Sequence, residues 1–208
     1  TNFASHAEGF NTVSVGTGTH AEGVETTANQ YGGHAEGIQT ISGGTGSHAE
    51  GIQTYTIGQG SHAEGGGTTG AADYSHAEGF RTFAGGSGSH AEGIHTYAIG
   101  RGSHTEGGGS TGFGEFSHAE GEFNFAYGKA SHVEGYGNTG FGFASHAEGI
   151  ITYAGGTGAH SEGLFTYAGG TGAHAEGDGG YAIGRASHVE GYGNTGFSFA
   201  SHAEGWYT

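Results

Sequence analysis

Residues 47–51, with the sequence SHAEG, decide the fold because this phrase recurs every 14 residues along the 208-residue chain. The histidine of the phrase runs from His6 to His202 without an insertion or a deletion, so fifteen copies share one register. A Glu follows each of these histidines by two residues, and a Gly follows by three. Such a short, fixed period is typical of a solenoid, in which each repeat forms one coil and stacks on the next.

The rest of each coil is looser but aligned. With the histidine as position 0, the consensus is S-H-A-E-G-x-x-T-x-A-x-G-x-x, and ten coils carry Thr at position +6. Small residues alternate with variable ones in both halves, which is the period of two short strands. We expect the glycines between the strands to supply the positive φ angles of the corners. The pattern therefore predicts an all-β parallel β-solenoid of about 15 coils, without helices.

The composition agrees with a narrow solenoid and excludes several other classes. The chain has 51 Gly, no Pro, no Met, no Cys and one Leu, so any core must be thin and no disulfide or cysteine-based zinc site is possible. A formal net charge of -16 with four Lys and Arg argues against nucleic-acid binding. Because no stretch approaches about 18 apolar residues, we expect no membrane contact. We expect residues 1–208 to be one continuous β-roll domain of a longer fibrous protein.

The alternation within the first strand predicts two chemically different faces. The Ser and Ala that flank each His should point inward, and His and Glu should point outward. We call the outward set the His/Glu ladder. It comprises His6, Glu8, His20, Glu22, His34, Glu36, His48, Glu50, His62, Glu64, His76, Glu78, His90, Glu92, His104, Glu106, His118, Glu120, His132, Glu134, His146, Glu148, His160, Glu162, His174, Glu176, His188, Glu190, His202 and Glu204.

The ladder is predicted to be structural. His and Glu never vary across the fifteen coils, which favours a face buried against another subunit, where each charge needs a partner. Nearby carboxylates are expected to raise the pKa of the histidines. A metal ladder is an alternative because His and Glu both bind transition metals, but the repetition without an open site favours a hydrogen-bond network with no metal and no cofactor. For the same reason we expect no catalytic residue and no enzyme activity.

Positions +7 and +9 should point outward on the opposite side of the roll. Apolar and aromatic side chains there form a candidate adhesive or packing face. Its main members are Tyr55, Ile57, Phe83, Tyr97, Ile99, Phe125, Tyr127, Tyr153, Tyr167 and Tyr181. The Thr at position +6 suggests an ice-binding solenoid as a further alternative, but its place in the alternation directs it inward. Calcium-binding rolls need an Asp in every turn, and only Asp73 and Asp178 are present.

The SHAEG phrase and its 14-residue period resemble the YadA-like head repeat of trimeric autotransporter adhesins and related β-rolls of phage-type fibres. The resemblance covers the whole chain and implies a left-handed parallel β-roll, a homotrimer, and His and Glu columns that line the trimer interior. It also implies an extracellular, cell-surface or virion-fibre protein with a structural or adhesive function, whose partners are its own copies and a host, matrix or glycan receptor. The alternative is a filament of solenoids stacked end to end.

Overall fold

The computed structural model describes residues 3–208 and shows an all-β parallel β-solenoid. Each 14-residue coil contributes a five-residue strand that begins at the histidine and a two-residue strand that begins at position +7. Residues 3–208 contain no helix, and therefore none long and apolar enough to span a membrane. The chain divides into two compact units, Thr1–Ser103 and His104–Thr208.

The first unit contains seven strands of each kind. Its five-residue strands are β1 (His6–Phe10), β3 (His20–Val24), β5 (His34–Ile38), β7 (His48–Ile52), β9 (His62–Gly66), β11 (His76–Phe80) and β13 (His90–Ile94). Its two-residue strands are β2 (Val13–Ser14), β4 (Thr27–Ala28), β6 (Ile41–Ser42), β8 (Tyr55–Thr56), β10 (Thr69–Gly70), β12 (Phe83–Ala84) and β14 (Tyr97–Ala98).

The second unit repeats the arrangement with one more long strand. Its five-residue strands are β15 (His104–Gly108), β17 (His118–Glu122), β19 (His132–Tyr136), β21 (His146–Ile150), β23 (His160–Leu164), β25 (His174–Asp178), β27 (His188–Tyr192) and β29 (His202–Trp206). Its two-residue strands are β16 (Thr111–Gly112), β18 (Phe125–Ala126), β20 (Thr139–Gly140), β22 (Tyr153–Ala154), β24 (Tyr167–Ala168), β26 (Tyr181–Ala182) and β28 (Thr195–Gly196).

Within each unit the strands pair in parallel with a register of one whole coil. His34 pairs with His48 in the first unit, and His146 pairs with His160 in the second. Each residue therefore lies beside its counterpart in the next coil, and identical residues form straight columns. The predicted parallel solenoid with in-register columns is confirmed.

The interior is made of small side chains, as the alternation predicted. Ala49 at position +1 and Thr54 at position +6 are fully buried, and Ser61 before the histidine is almost fully buried. The Ser61 hydroxyl donates to the carbonyl oxygen of Gly58 at 2.8 Å, which ties the end of one coil to the start of the next. The inward position of the Thr column removes the basis for an ice-binding array on this face.

Glycine acts differently at its two conserved positions. Gly37 at position +3 has a φ of 117°, and a β-carbon there would lie 2.0 Å from the carbonyl oxygen of Gly51 in the next coil. The glycines at positions +3 and +12 have positive φ, as expected of corner glycines, whereas those at position +10 do not have it anywhere in residues 3–208. A β-carbon at Gly86, for example, would lie 2.0 Å from the oxygen of Gly100. At position +10 glycine is needed for close backbone approach.

The corners place positive φ on other residues. Position +5 adopts the left-handed conformation even where it is not glycine, as in Asn11 (φ 53°) and Arg81 (φ 54°). Position +12 does the same with Gly in many coils and Ala in several, such as Ala130 (φ 56°). The backbone path of the coil therefore sets these angles, and the side chains at position +5 are turned outward at the corner.

Candidate functional site: the outer faces of the solenoid

The five-residue strand places three side chains of every coil on one outer face. Alternation turns positions 0, +2 and +4 outward and position +1 inward. In β7 this puts His48, Glu50 and Ile52 on the surface and Ala49 in the core. The outward placement of the whole His/Glu ladder is thereby confirmed, and we call this surface the His/Glu face.

Each histidine of the ladder lies next to the glutamate of its own strand. The distance from His Nε2 to Glu Oε2 is 3.3 Å in His20 and Glu22, and it reaches 3.8 Å in His104 and Glu106. The shorter pairs, such as His146 with Glu148 at 3.3 Å, are within hydrogen-bond range. The pairs are half-exposed, so each one stabilises the fold only weakly, by about 1 kcal/mol or less.

The imidazole rings form stacks along the column. Neighbouring ring centroids are 4.5 Å apart between His34 and His48, and 4.6 Å apart between His160 and His174, with nearly parallel planes. Each imidazole therefore has imidazole neighbours as well as a carboxylate neighbour. A proton added to one ring raises the electrostatic cost of a proton on the next ring.

His34 shows the consequence of this arrangement. Its pKa is lowered from the ordinary value of 6.5, first because burial penalises the charged form and second because His48 and His20 lie on either side. Glu36 acts in the opposite direction, through a hydrogen bond and its charge, but is outweighed. The expectation of a raised histidine pKa is therefore wrong for His34, although Glu36 itself acts in the raising direction.

An apolar column completes the His/Glu face, and the sequence analysis missed it. Position +4 has the same parity as His and Glu, so its side chains are also outward, and most of them are large and apolar. The exposed members are Phe10, Val24, Ile38, Ile52, Phe80, Ile94, Tyr136, Ile150, Tyr192 and Trp206. Extending the alternation by one more pair of residues would have found this column.

The opposite outer face carries the predicted positions +7 and +9. Tyr55, Ile57, Tyr97 and Ile99 are exposed there, which confirms their outward direction. Where position +9 is glycine, the aromatic ring at +7 lies over it: a β-carbon at Gly155 would be 2.6 Å from Cε1 of Tyr153. These rings are half-buried.

Aromatic rings on this opposite face also stack from coil to coil. Tyr153 and Tyr167 have ring centroids 5.0 Å apart and planes only 4° from parallel, and Phe113 and Tyr127 are 4.7 Å apart. Because stacked rings cover part of each other's faces, much of their apolar surface is already used within the chain. A row of such rings is therefore less available for a ligand than its composition suggests.

The described part of the chain, residues 3–208, contains no group of three or more His, Asp or Glu side chains arranged to hold a metal ion. Fold and surface together define a parallel β-solenoid with one uniform ionic and apolar face and one variable aromatic face. No protein-family model matches this chain, and no curated protein sequence matches it.

Proposed function

We propose that this chain forms the head or shaft of a homotrimeric extracellular fibre, with a structural and adhesive function at a cell surface or in a virion fibre. The solenoid coils are taken to be left-handed, as in the adhesin heads that the repeat resembles. The chain's partners are two further copies of itself and a host, matrix or glycan receptor.

The observation that carries this proposal is the contrast between the two outer faces. His and Glu occupy every coil of the His/Glu face, whereas positions +7 and +9 accept Val, Thr, Tyr, Phe, Ile, Asn, Gly and Ala. A face that repeats one chemistry in register can meet identical copies of itself around a symmetry axis. The uniform face is therefore the proposed subunit interface.

The apolar column at position +4 supports the same assignment. Ile38 and Ile150 are 46% and 48% exposed beside the ionic columns, and contiguous exposed apolar surface marks interaction sites. The histidines also present partly desolvated groups: Nε2 of His48 is removed from solvent although its side chain is 37% exposed. Covering such a face with another subunit therefore removes little further water from the imidazole nitrogen.

Sedimentation equilibrium of two matched variants tests this interface. Ile150→Lys places a charge on the His/Glu face, and Ile183→Lys places the same charge on the opposite face, at similar exposures of 48% and 43%. The wild type should sediment at three times the chain mass of 20.7 kDa. Ile150→Lys should shift the equilibrium to monomer because burying an unpaired ammonium is unfavourable, and Ile183→Lys should remain trimeric.

Other outcomes contradict the proposal in distinguishable ways. A monomeric wild type at high concentration would overturn the trimer. Loss of the oligomer in Ile183→Lys, but not in Ile150→Lys, would move the interface to the aromatic face. Indefinite filaments in electron micrographs, in place of discrete rods, would indicate end-to-end stacking of solenoids.

A further inference from the structure

The edges of the His/Glu face differ in chemistry between the two units. Position +5 directly follows each five-residue strand, and position +12 of the preceding coil lies two residues before it, so these two corner positions flank the face. In the first unit the residues at position +5 other than glycine are all polar: Asn11, Glu25, Gln39, Gln53, Arg81 and His95. In the second unit they are all apolar or aromatic: Phe123, Ile151, Phe165 and Tyr207.

The +5 edge of the first unit is an ordinary polar surface. The Gln39 Nε2 donates to Glu25 Oε2 at 2.8 Å, and the Gln53 Nε2 donates to Gln39 Oε1 at 3.1 Å. All three side chains are exposed as well as hydrogen-bonded within the chain. This edge therefore needs no further partner.

The +5 edge of the second unit is an exposed apolar ridge. Ile151 leans over Gly137 of the preceding coil, where a β-carbon would lie 3.3 Å from Cγ1 of Ile151. The Phe123 ring meets the ring of Tyr136 in the position +4 column edge to face, with centroids 6.1 Å apart. After these contacts Phe123, Ile151 and Phe165 are still 47%, 48% and 49% exposed. The ridge therefore extends the apolar column of the His/Glu face around its corner, and such contiguous apolar surface marks an interaction site.

The backbone at this ridge is strained. Ile151 has a φ of 55°, and this left-handed conformation is unfavourable for a residue that is branched at its β-carbon. Gly137 occupies the same corner one coil earlier, with a φ of 67°, and glycine adopts this conformation without steric cost. A strained corner that carries a half-exposed apolar side chain indicates a contact that the single chain does not make.

The opposite edge of the same face changes in parallel. Position +12 is glycine in six of the seven coils of the first unit, the exception being Tyr74. In the second unit four coils carry alanine there: Ala130, Ala144, Ala186 and Ala200. These alanines are exposed and have positive φ, 51° at Ala144, so their methyl groups are also kept against a backbone preference. The second unit therefore has large apolar side chains on one edge of the face and small ones on the other.

We infer that the +5 edge of one copy packs against the +12 edge of the next copy, in the second unit. Around a threefold axis with the His/Glu faces inward, opposite edges of neighbouring copies meet, and this head-to-tail contact closes into a ring. The large side chains of one edge fill the shallow surface that alanine and glycine leave on the other. This inference rests on the proposed homotrimer and names the contact that seals its interface from water.

Two measurements on the full-length variant Ile151→Asn test the +5 edge. Asparagine suits this corner, because Asn11 adopts a φ of 53° at the same position. Sedimentation equilibrium should show a trimer dissociation constant raised by about tenfold or more. Thermal unfolding at a concentration where both proteins are monomeric should show a midpoint equal to or above that of the wild type, because the strain is relieved. A residue needed only for the fold of the single chain would give the reverse pattern. Gln53→Asn, at the polar edge of the first unit, is the matched control and should assemble like the wild type.

Ala144→Asn tests the other edge, with Gly46→Asn in the first unit as its control. Ala144→Asn should also weaken the trimer and Gly46→Asn should not. The inference is overturned if Ile151→Asn or Ala144→Asn assembles as tightly as the wild type, or if the controls weaken the trimer equally. A wild-type trimer that tolerates both substitutions would refute the edge contact and leave the fibre proposal standing. A wild type that stays monomeric at every concentration would refute both.

Discussion

The side chain of Val133 occupies the interior volume that Gly140 leaves open. A β-carbon at Gly140 would lie 2.7 Å from Cγ2 of Val133, which is closer than van der Waals contact allows. The preceding coil fills the same two positions with Ala119 and Ala126, both fully buried. In this coil a larger residue on the long strand is therefore matched by a smaller one on the short strand.

This relationship predicts strong coupling between the two sites. Gly140→Ala alone should destabilise the fold by about 1–3 kcal/mol through overpacking. Val133→Ala alone should destabilise it by about 2 kcal/mol through lost burial and a cavity. The double variant recreates the Ala pair of the preceding coil and should recover most of this loss. Denaturant unfolding of all four proteins measures the coupling, and additive effects would contradict the volume match.

The buried Thr column predicts a stabilising substitution. The hydroxyl of Thr54 has no hydrogen-bond partner within residues 3–208, although the residue is fully buried. Thr54→Val replaces this hydroxyl with a methyl group of similar shape and should stabilise the fold by about 1–2 kcal/mol, because a buried unpaired polar group is unfavourable. Thermal unfolding would show it as a higher midpoint.

Thr152 in the second unit provides the matched control. Its hydroxyl donates to Oδ1 of Asn138 at 3.0 Å, and its backbone N–H donates to the same oxygen at 2.7 Å. Thr152→Val removes one of these two bonds and should destabilise the fold by about 0.5–1.5 kcal/mol. Equal effects of the two substitutions would show that the Thr54 hydroxyl has a partner in solution.

The sequence alone could predict the directions of the side chains but not all of their environments. Alternation assigned Ala49 to the interior and His48 to the surface, because a strand allows no other arrangement. The positive φ of Ile151 and Arg81 could not be predicted, since the backbone path of a stacked coil imposes it on residues that rarely adopt it. The sequence could not distinguish the corner glycines from those at position +10, because close approach between coils leaves the same sequence signal as a corner.

The His/Glu ladder shows a second limit of sequence reasoning. Pairing each histidine with the glutamate two residues later considers one strand at a time, and it predicted a raised pKa. The fold adds the neighbours at 14 residues in both directions, so that His34 lies between His20 and His48. Burial and these two imidazoles then outweigh Glu36. This lowering of the pKa arises from the stacked coils, and no single repeat contains it.

The lowered pKa of His34 predicts how stability depends on pH. The unfolded chain binds a proton at His34 near its ordinary pKa of about 6.5, whereas the folded chain resists it. Between these two pKa values the unfolded state carries more protons, so the free energy of unfolding rises with pH. The contribution of His34 to the free energy of unfolding is fully present above about pH 6.5, and it is lost as the pH falls through the pKa of His34 in the folded chain.

An NMR titration of the His34 imidazole tests both the direction and the cause of this shift. The wild-type midpoint should lie below 6.5. His48→Gln removes the nearer stacked neighbour and should raise the His34 midpoint, because it removes the imidazole whose charge lowers the His34 pKa most. Glu36→Gln should lower the midpoint further, since it removes the one carboxylate that favours protonation. A midpoint above 6.5 in the wild type, or one that His48→Gln leaves unchanged, would show that Glu36 dominates and that the stacked column does not control protonation.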